Sequence, residues 1–247
     1  MKLAICAGPP TTGKTAVLRH MITRLLAKGH APAFLKIDVQ FAEEDEILAK
    51  DFGIPTRKIY SGELCPDHCN VMVLGDALQW AAKANCDMLL VETAGLCLRC
   101  SPYVDAGLGM VVQEATSGMS LPRKAGPMLS LADVAVVTKI DRVSQAEREV
   151  FRARIQQVAP SVRVREVNAL HGIGIDPLVG YLLESSDARS HVPARHSAGR
   201  HMHHLRGQEG SRLEVAFRRR PFPGKSSVLS RRVVHFKLRR DARDLLR

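Results

Sequence analysis

Gly8-Pro9-Pro10-Thr11-Thr12-Gly13-Lys14-Thr15 matches G-x-x-x-x-G-K-[ST], and its neighbours supply the setting that pattern requires. Before it, Leu3 to Ala7 is a short apolar run that reads as a strand. After it, Thr15 to Lys28 carries Val17, Met21, Leu25 and Leu26 at helical spacing. Strand, glycine-rich loop and helix in that order make a phosphate cradle: the glycines let backbone N–H groups turn inward, and the helix N-terminus adds positive potential. Lys14 is placed to contact the β- and γ-phosphates of a nucleoside triphosphate, and the Thr15 hydroxyl to ligate Mg²⁺. The candidate phosphate contacts are Gly8, Pro9, Pro10, Thr11, Thr12, Gly13, Lys14, Thr15 and, in the first helical turn, Ala16.

Working outward, Ala33 to Ile37 reads as a second strand, Val73 to Asn85 as a helix and Met88 to Val91 as a buried strand. Met110 to Val112 and Val134 to Val137 follow as strands. Ala146 to Gln157 is an amphipathic helix, and Val162 to Val167 is a last strand before a glycine-containing loop. Strands alternating with helices at this spacing predict an α/β P-loop NTPase, a mostly parallel sheet with helices on both faces. There is no internal repeat. The apolar periodicity lapses after Leu183, which divides the chain into a packed domain, 1–184, and a basic, poorly structured tail, 185–247.

The chain has 247 residues, 45% of them hydrophobic, enough for a sizeable core in one domain or at most two. No apolar run reaches the length needed to span a bilayer, and no signal-peptide pattern precedes the glycine-rich loop, so the expected compartment is the cytoplasm, with no membrane partner. The net charge of +11 is unevenly spread. Residues 1–184 hold 20 basic and 20 acidic side chains, whereas 185–247 hold 14 Arg, 2 Lys and 5 acidic residues. Arg218-Arg219-Arg220, Arg231-Arg232 and Arg239-Arg240 would attract nucleic-acid phosphates, and the tail histidines, including His201, His203 and His204, could store metal ions. The blander reading, a disordered or out-of-frame extension, fits the shift in Arg-to-Lys usage better.

Met88-Leu89-Leu90-Val91-Glu92-Thr93-Ala94-Gly95 supplies the acid that a P-loop needs on a neighbouring buried strand. Glu92 ends the apolar run, where its carboxylate can reach the metal or its water shell, and Gly95 lets the loop approach the γ-phosphate. Thr138-Lys139-Ile140-Asp141 follows another apolar strand. A carboxylate at Asp141 accepts from both guanine N1–H and the 2-amino group, while the Lys139 stem lies along the ring, which points to GTP in preference to ATP. Thr138 stands where Asn is commoner. A second base contact is available from Asn168-Ala169-Leu170, in the loop after the last strand.

All six cysteines fall in the first hundred residues, a pattern that favours metal ligands or redox thiols over structural disulfides in a chain with no export signal. Cys6 and Cys86 lie in or beside apolar strands and read as core thiols. Cys97-Leu98-Arg99-Cys100 begins two residues after Gly95 with the spacing of a metal knuckle or a redox pair.

In these motifs the chain resembles the SIMIBI-class metallochaperone GTPases: the urease-accessory and hydrogenase-nickel-insertion GTPases and the related cobalamin-synthesis-type proteins. The family places Glu-x-x-Gly where other GTPases use Asp-x-x-Gly, as Glu92 to Gly95 does. Leu121-Pro122-Arg123-Lys124-Ala125-Gly126-Pro127 is similar to the I-P-R-K-G-G-P segment of the urease GTPase. The resemblance runs from Lys2 to about Leu183. It implies that Asp38 and Asp45 are the acidic positions of the first switch, Asp38 being the better Mg²⁺ candidate, so that Lys14, Asp38 and Glu92 carry the phosphoryl chemistry with Thr15. It implies a transition-metal site where Cys65-Pro66-Asp67-His68-Cys69 departs from the family's Cys-Pro-His by an inserted Asp67 and a second thiol. Thiolate and imidazole donors on a loop there suit Ni²⁺ or Zn²⁺. Cys65, His68, Cys69, Cys97 and Cys100 form one site, or each cysteine pair meets its mate across a dimer axis. The implied activity is slow Mg²⁺-dependent GTP hydrolysis by a homodimer formed on GTP, which delivers metal to a client metalloenzyme or accessory protein.

Overall fold

A computed structural model describes residues 1–38, 44–61, 66–95 and 101–188, and the backbone of three tail strands. For residues 66–68, 71 and 72 only the helical backbone is described. Seven strands form one sheet: β1 (Lys2–Ala7), β2 (Pro32–Asp38), β3 (Thr56–Tyr60), β4 (Met88–Thr93), β5 (Leu108–Glu114), β6 (Val134–Thr138) and β7 (Arg163–Glu166). Their order is β3-β2-β4-β1-β5-β6-β7, and every pairing is parallel. The expected P-loop NTPase architecture is present.

Burial on both faces follows from the period of two. In β1, Leu3, Ile5 and Ala7 enter one apolar layer while Ala4 and Cys6 enter the other. The first layer is closed by α3 (Pro66–Lys83), α5 (Gly126–Ser130) and α6 (Gln145–Val158) through Leu74, Leu78, Met128, Phe151 and Ile155. The second is closed by α1 (Lys14–Ala27), α2 (Glu44–Phe52) and α7 (Asp176–Glu184) through Leu18, Met21, Leu48, Leu178 and Leu182. A one-turn helix, α4 (Leu121–Lys124), precedes α5. Cys6 and Cys86 are buried in these layers, as expected.

Five elements of the packed domain, α2, β3, α4, α5 and α7, escape the periodicity reading. β3 is a half-buried edge strand, Thr-Arg-Lys-Ile-Tyr, with too few apolar residues to announce itself. The helix expected from Val73 begins instead at Pro66, so Asp67, His68 and Cys69 lie in a first helical turn and not in a free loop. Proline is favoured there because its missing N–H would have no intrahelical acceptor anyway.

The packed chain is described as far as Ala188, whose N–H donates to the Met1 carbonyl at 2.9 Å. In the tail, β8 (Met202–Arg206), β9 (Arg212–Phe217) and β10 (Phe236–Lys237) form a separate antiparallel sheet in the order β10-β9-β8. Residues 189–201, 207–211, 218–235 and 238–247 lie outside the described residues, and with them the arginine clusters and His201.

Candidate functional site

The loop between β1 and α1 is held open by its own chain. Gly13 caps α1 in the left-handed region (φ 88°), no side chain among the described residues caps the helix, and no acidic residue lies in its first turn, which leaves the amides at this mouth to an anion. Lys14 folds over the loop, its Nζ donating to the Gly8 carbonyl at 2.9 Å and the Pro9 carbonyl at 3.0 Å. Thr12 Oγ1 donates to the Pro9 carbonyl at 2.9 Å. Burial pulls the Lys14 pKa below the usual lysine value, against the pull of Glu92.

Glu92 is the centre of the site. In register it lies between Cys6 on β1 and Lys36 on β2, so all three side chains face the layer that holds α1. Thr15 Oγ1, at the start of α1, lies 3.0 and 2.9 Å from Glu92 Oε1 and Oε2, so its hydroxyl hydrogen is directed at that carboxylate. Lys36 Nζ donates to Oε1 at 2.6 Å. Lys36 also lies 3.7 Å from Asp38 Oδ2 and 3.8 Å from Glu44 Oε1. Lys36 is 4% exposed and Glu92 2%. Burial works against the Lys36 charge, yet Glu92, then Glu44 and Asp38, outweigh it and raise the pKa above the usual lysine value. Burial and then Glu92 push the Cys6 thiol upward, so it stays protonated.

The Glu92 loop and the phosphate loop touch through two glycines. A Cβ on Gly95 (φ +66°) would stand 1.7 Å from the Gly8 carbonyl oxygen, and one on Gly8 (φ +144°) 2.2 Å from the Val112 carbonyl oxygen. Only glycine allows that approach, the close contact expected of a loop that senses the last phosphate.

The residues expected from the sequence to contact the base converge on the far side of Gly13. Thr138 is 1% exposed, and its hydroxyl donates to the Thr12 carbonyl at 2.6 Å, so it acts on the phosphate loop. A Cβ built on Gly13 would sit 3.9 Å from both Thr138 Cγ2 and Ala169 Cβ. Lys139 adopts a left-handed conformation (φ 56°) and pairs with Glu114, while Asp141 is exposed in a short 3₁₀ turn. Asn168 Oδ1 accepts from the Leu170 and His171 amides at 3.1 and 3.2 Å, and Leu170 is 76% exposed. Arg24 on α1 braces this loop, donating to the Gly172 carbonyl at 2.6 Å and to Asp176 at 2.8 Å.

Of the sequence-derived candidates, Gly8 to Ala16, Asp38, Glu92, Gly95, Thr138 to Asp141 and Asn168 to Leu170 gather at the carboxyl ends of the strands. Asp45 does not: it turns to Lys58 on β3, 2.9 Å away, and the acid nearest Lys36 from α2 is Glu44. Cys65, Cys97 and Cys100 and the His68 side chain lie outside the described residues, so the transition-metal candidates are placed only through Cys69. That residue is 6% exposed and packs in the apolar layer with Leu74 and Ala77. Among the described residues no group of three or more His, Cys, Asp or Glu side chains is arranged to hold a metal ion. Among them, too, no helix is long and apolar enough to cross a membrane.

The sequence reading passes over Lys36, Glu44, Glu114 and Arg24. The lysine was detectable as the one charge inside the apolar run Ala33 to Ile37. The others owe their roles to contacts across the fold.

Residues 2–166 match the family described as CobW/HypB/UreG, nucleotide-binding domain. An uncharacterised protein of Methanocaldococcus jannaschii is 44% identical over 200 residues, 80% of this chain and 85% of that one. The urease accessory protein UreG 2 of Streptomyces griseus is 27% identical over 188 residues, 71% of this chain and 83% of that one. Among solved structures, the hydrogenase maturation factor HypB of Archaeoglobus fulgidus superposes with a TM-score of 0.60 at 21% identity, covering 74% of this chain and 89% of that one. HypB of Helicobacter pylori, solved in complex with nickel, superposes with a TM-score of 0.60 at 18% identity over 74% and 86% of the two chains.

Proposed function

Because the chain belongs to the CobW/HypB/UreG nucleotide-binding family, we propose that it is a Mg²⁺-dependent GTPase that delivers a transition metal, nickel first, during maturation of a metalloenzyme or metallocofactor. The observation that carries the nucleotide part is the convergence of the Thr15 hydroxyl and the Glu92 carboxylate, 77 residues apart in sequence, at the foot of an uncapped helix N-terminus.

The residues at this foot fit magnesium. Thr15, Glu92 and Asp38 offer only hard oxygen donors, and Glu44 Oε2, beside them, is buried without a hydrogen-bond partner among the described residues. Thr15 and Glu92, with Asp38 from the first switch, would hold the ion, whose charge would help neutralise the β- and γ-phosphates. The chain's own part is positioning. The amides from Gly13 to Thr15 receive phosphate oxygens, and Lys14 moves from the Gly8 and Pro9 carbonyls to the β- and γ-phosphates. Gly95 brings the Glu92 loop against the last phosphate. Asp141 and the Asn168 to Leu170 loop take guanine, with Lys139 held along the ring by Glu114. No side chain at the described site is placed as a general base for water, so intrinsic hydrolysis is slow and a partner or a second copy of the chain accelerates it.

The metal part rests on the family and on the cysteines flanking the nucleotide-sensing loop, with a homodimer formed on GTP as the delivering species. Turnover of GTP against ATP with Mg²⁺ tests the first part, and faster ATP turnover overturns the role given to Asp141. Titration of the protein with Ni²⁺ and Zn²⁺, with and without a non-hydrolysable GTP analogue, tests the second. A Cys97→Ala, Cys100→Ala variant that keeps the parent's affinity for both ions in both states removes that pair from the site. If Cys65→Ala is equally silent, the delivery role fails.

A further inference from the structure

Lys36 has no part in the phosphate cradle, the base contact or the cysteine motifs, yet it is among the most deeply buried charges in the described chain and its ammonium lies in the middle of the magnesium-side acids. A buried charge persists only where opposite charge surrounds it. Here Glu92 at 2.6 Å, Asp38 at 3.7 Å and Glu44 at 3.8 Å provide that surrounding. Glu92 Oε1 is shared: it takes the Lys36 hydrogen bond and lies 3.0 Å from Thr15 Oγ1. A dication bound to the Thr15 hydroxyl would therefore sit across one carboxylate from a fixed positive charge, and their repulsion falls only as the inverse of distance.

We propose that Lys36 is a resident counter-ion: it holds Glu92, Asp38 and Glu44 together while the site is empty, and it competes with Mg²⁺ for them when nucleotide binds. The charges match this role. Three carboxylates less one ammonium leave two negative charges, enough to balance one divalent ion, so Lys36 keeps the acids from repelling one another without closing the site. The lysine thereby sets how much free Mg²⁺ the chain needs to hold nucleotide. The backbone builds the arrangement in, because Lys36 and Glu92 are direct register partners on adjacent strands.

This inference rests on the reading of the cleft as a magnesium–nucleotide site, and one experiment separates the two. Binding of a fluorescent GDP is measured against free Mg²⁺ for the parent, Lys36→Met, Lys36→Gln and Lys36→Arg, with thermal melts in Mg²⁺ alone. A parent whose nucleotide affinity ignores Mg²⁺ overturns the cleft reading and this inference with it. Given a Mg²⁺-dependent parent, the neutral variants are expected to reach half-saturation at roughly tenfold lower Mg²⁺, the effect of removing one nearby charge at a partly screened site. Lys36→Arg stays near the parent. The neutral variants are also expected to melt lower than the parent without Mg²⁺ and to gain more from its addition. Unchanged or higher Mg²⁺ demand in the neutral variants overturns the counter-ion role. Should both neutral variants fail to fold without the ion, recovery in millimolar Mg²⁺ supports the role, and no recovery at any concentration overturns it.

Discussion

The Thr138 hydroxyl donates a 2.6 Å hydrogen bond to the carbonyl of Thr12, so the end of β6, which leads into Lys139 and Asp141, is tied directly to the phosphate loop. Both residues are about 1% exposed, and no solvent is at hand to replace the bond. Thr138→Val keeps the shape and leaves the Thr12 carbonyl without this donor. The expected cost is about 1 kcal/mol, seen as a fall of roughly 2–4 °C in Tm, with weaker nucleotide binding, while Thr138→Ser retains both. Calorimetric melts and nucleotide titrations check it.

Gly95→Ala tests the contact between the Glu92 loop and the phosphate loop. A side chain there meets a φ of +66° and the Gly8 carbonyl at 1.7 Å, so the two loops must separate. The left-handed conformation alone costs about 1–3 kcal/mol for a non-glycine residue. Nucleotide affinity is expected to fall at least tenfold, with triphosphate affected more than diphosphate; equal affinity for parent and variant in both would show that the loops do not need to touch.

Glu92→Gln removes the carboxylate that holds both Thr15 and Lys36. The ammonium then keeps only Asp38 at 3.7 Å and Glu44 at 3.8 Å in a 4%-exposed position. Breaking one side of a buried pair costs about 3–5 kcal/mol. The variant is expected to melt well below the parent and to lose hydrolysis, and a denaturant titration measures the first effect independently of the second.

A pH prediction comes from the opposite end of the sheet. Asp87 joins the turn after α1 to the start of β4, paired with His30 Nδ1 at 2.8 Å and accepting from the Ala31 amide at 2.9 Å. Partial burial raises its pKa, but the His30 and Ala31 hydrogen bonds outweigh burial and hold the carboxyl below the ordinary aspartate value. Because the folded value is the lower one, the charged form stabilises the fold above the ordinary carboxylate range, and that contribution is lost as pH falls through the depressed value. Asp87→Asn is expected to lower Tm at neutral pH by an amount that shrinks toward zero in strong acid. A difference that stays constant across that range would rule out the ionised carboxylate as its source.

How much of the site is legible in the sequence depends on whether a residue acts where the chain puts it or where the fold takes it. The phosphate loop is fully legible, because strand, glycine-rich turn and helix are consecutive and the chemistry needs backbone amides in that order. The placement of Glu92 and Gly95 beside the phosphate loop is legible because they follow an apolar run that reads as a strand of the same parallel sheet. Asp45 is assigned through the family resemblance and points elsewhere: α2 turns it toward Lys58 and presents Glu44 instead, a difference of one helical residue and about 100° of rotation that no sequence pattern reports.

The sequence by itself determines the parallel sheet, through apolar runs buried on both faces, and the nucleotide cradle, through residues that are neighbours along the chain. Only the tertiary structure decides that Lys36 meets Glu92, that Thr138 holds Thr12 and that Arg24 braces Gly172. Strand order and register set those pairings, 56, 126 and 148 residues apart. Side-chain chemistry is written residue by residue, but which charge neutralises which follows from the β3-β2-β4-β1 order that places β2 and β4 side by side.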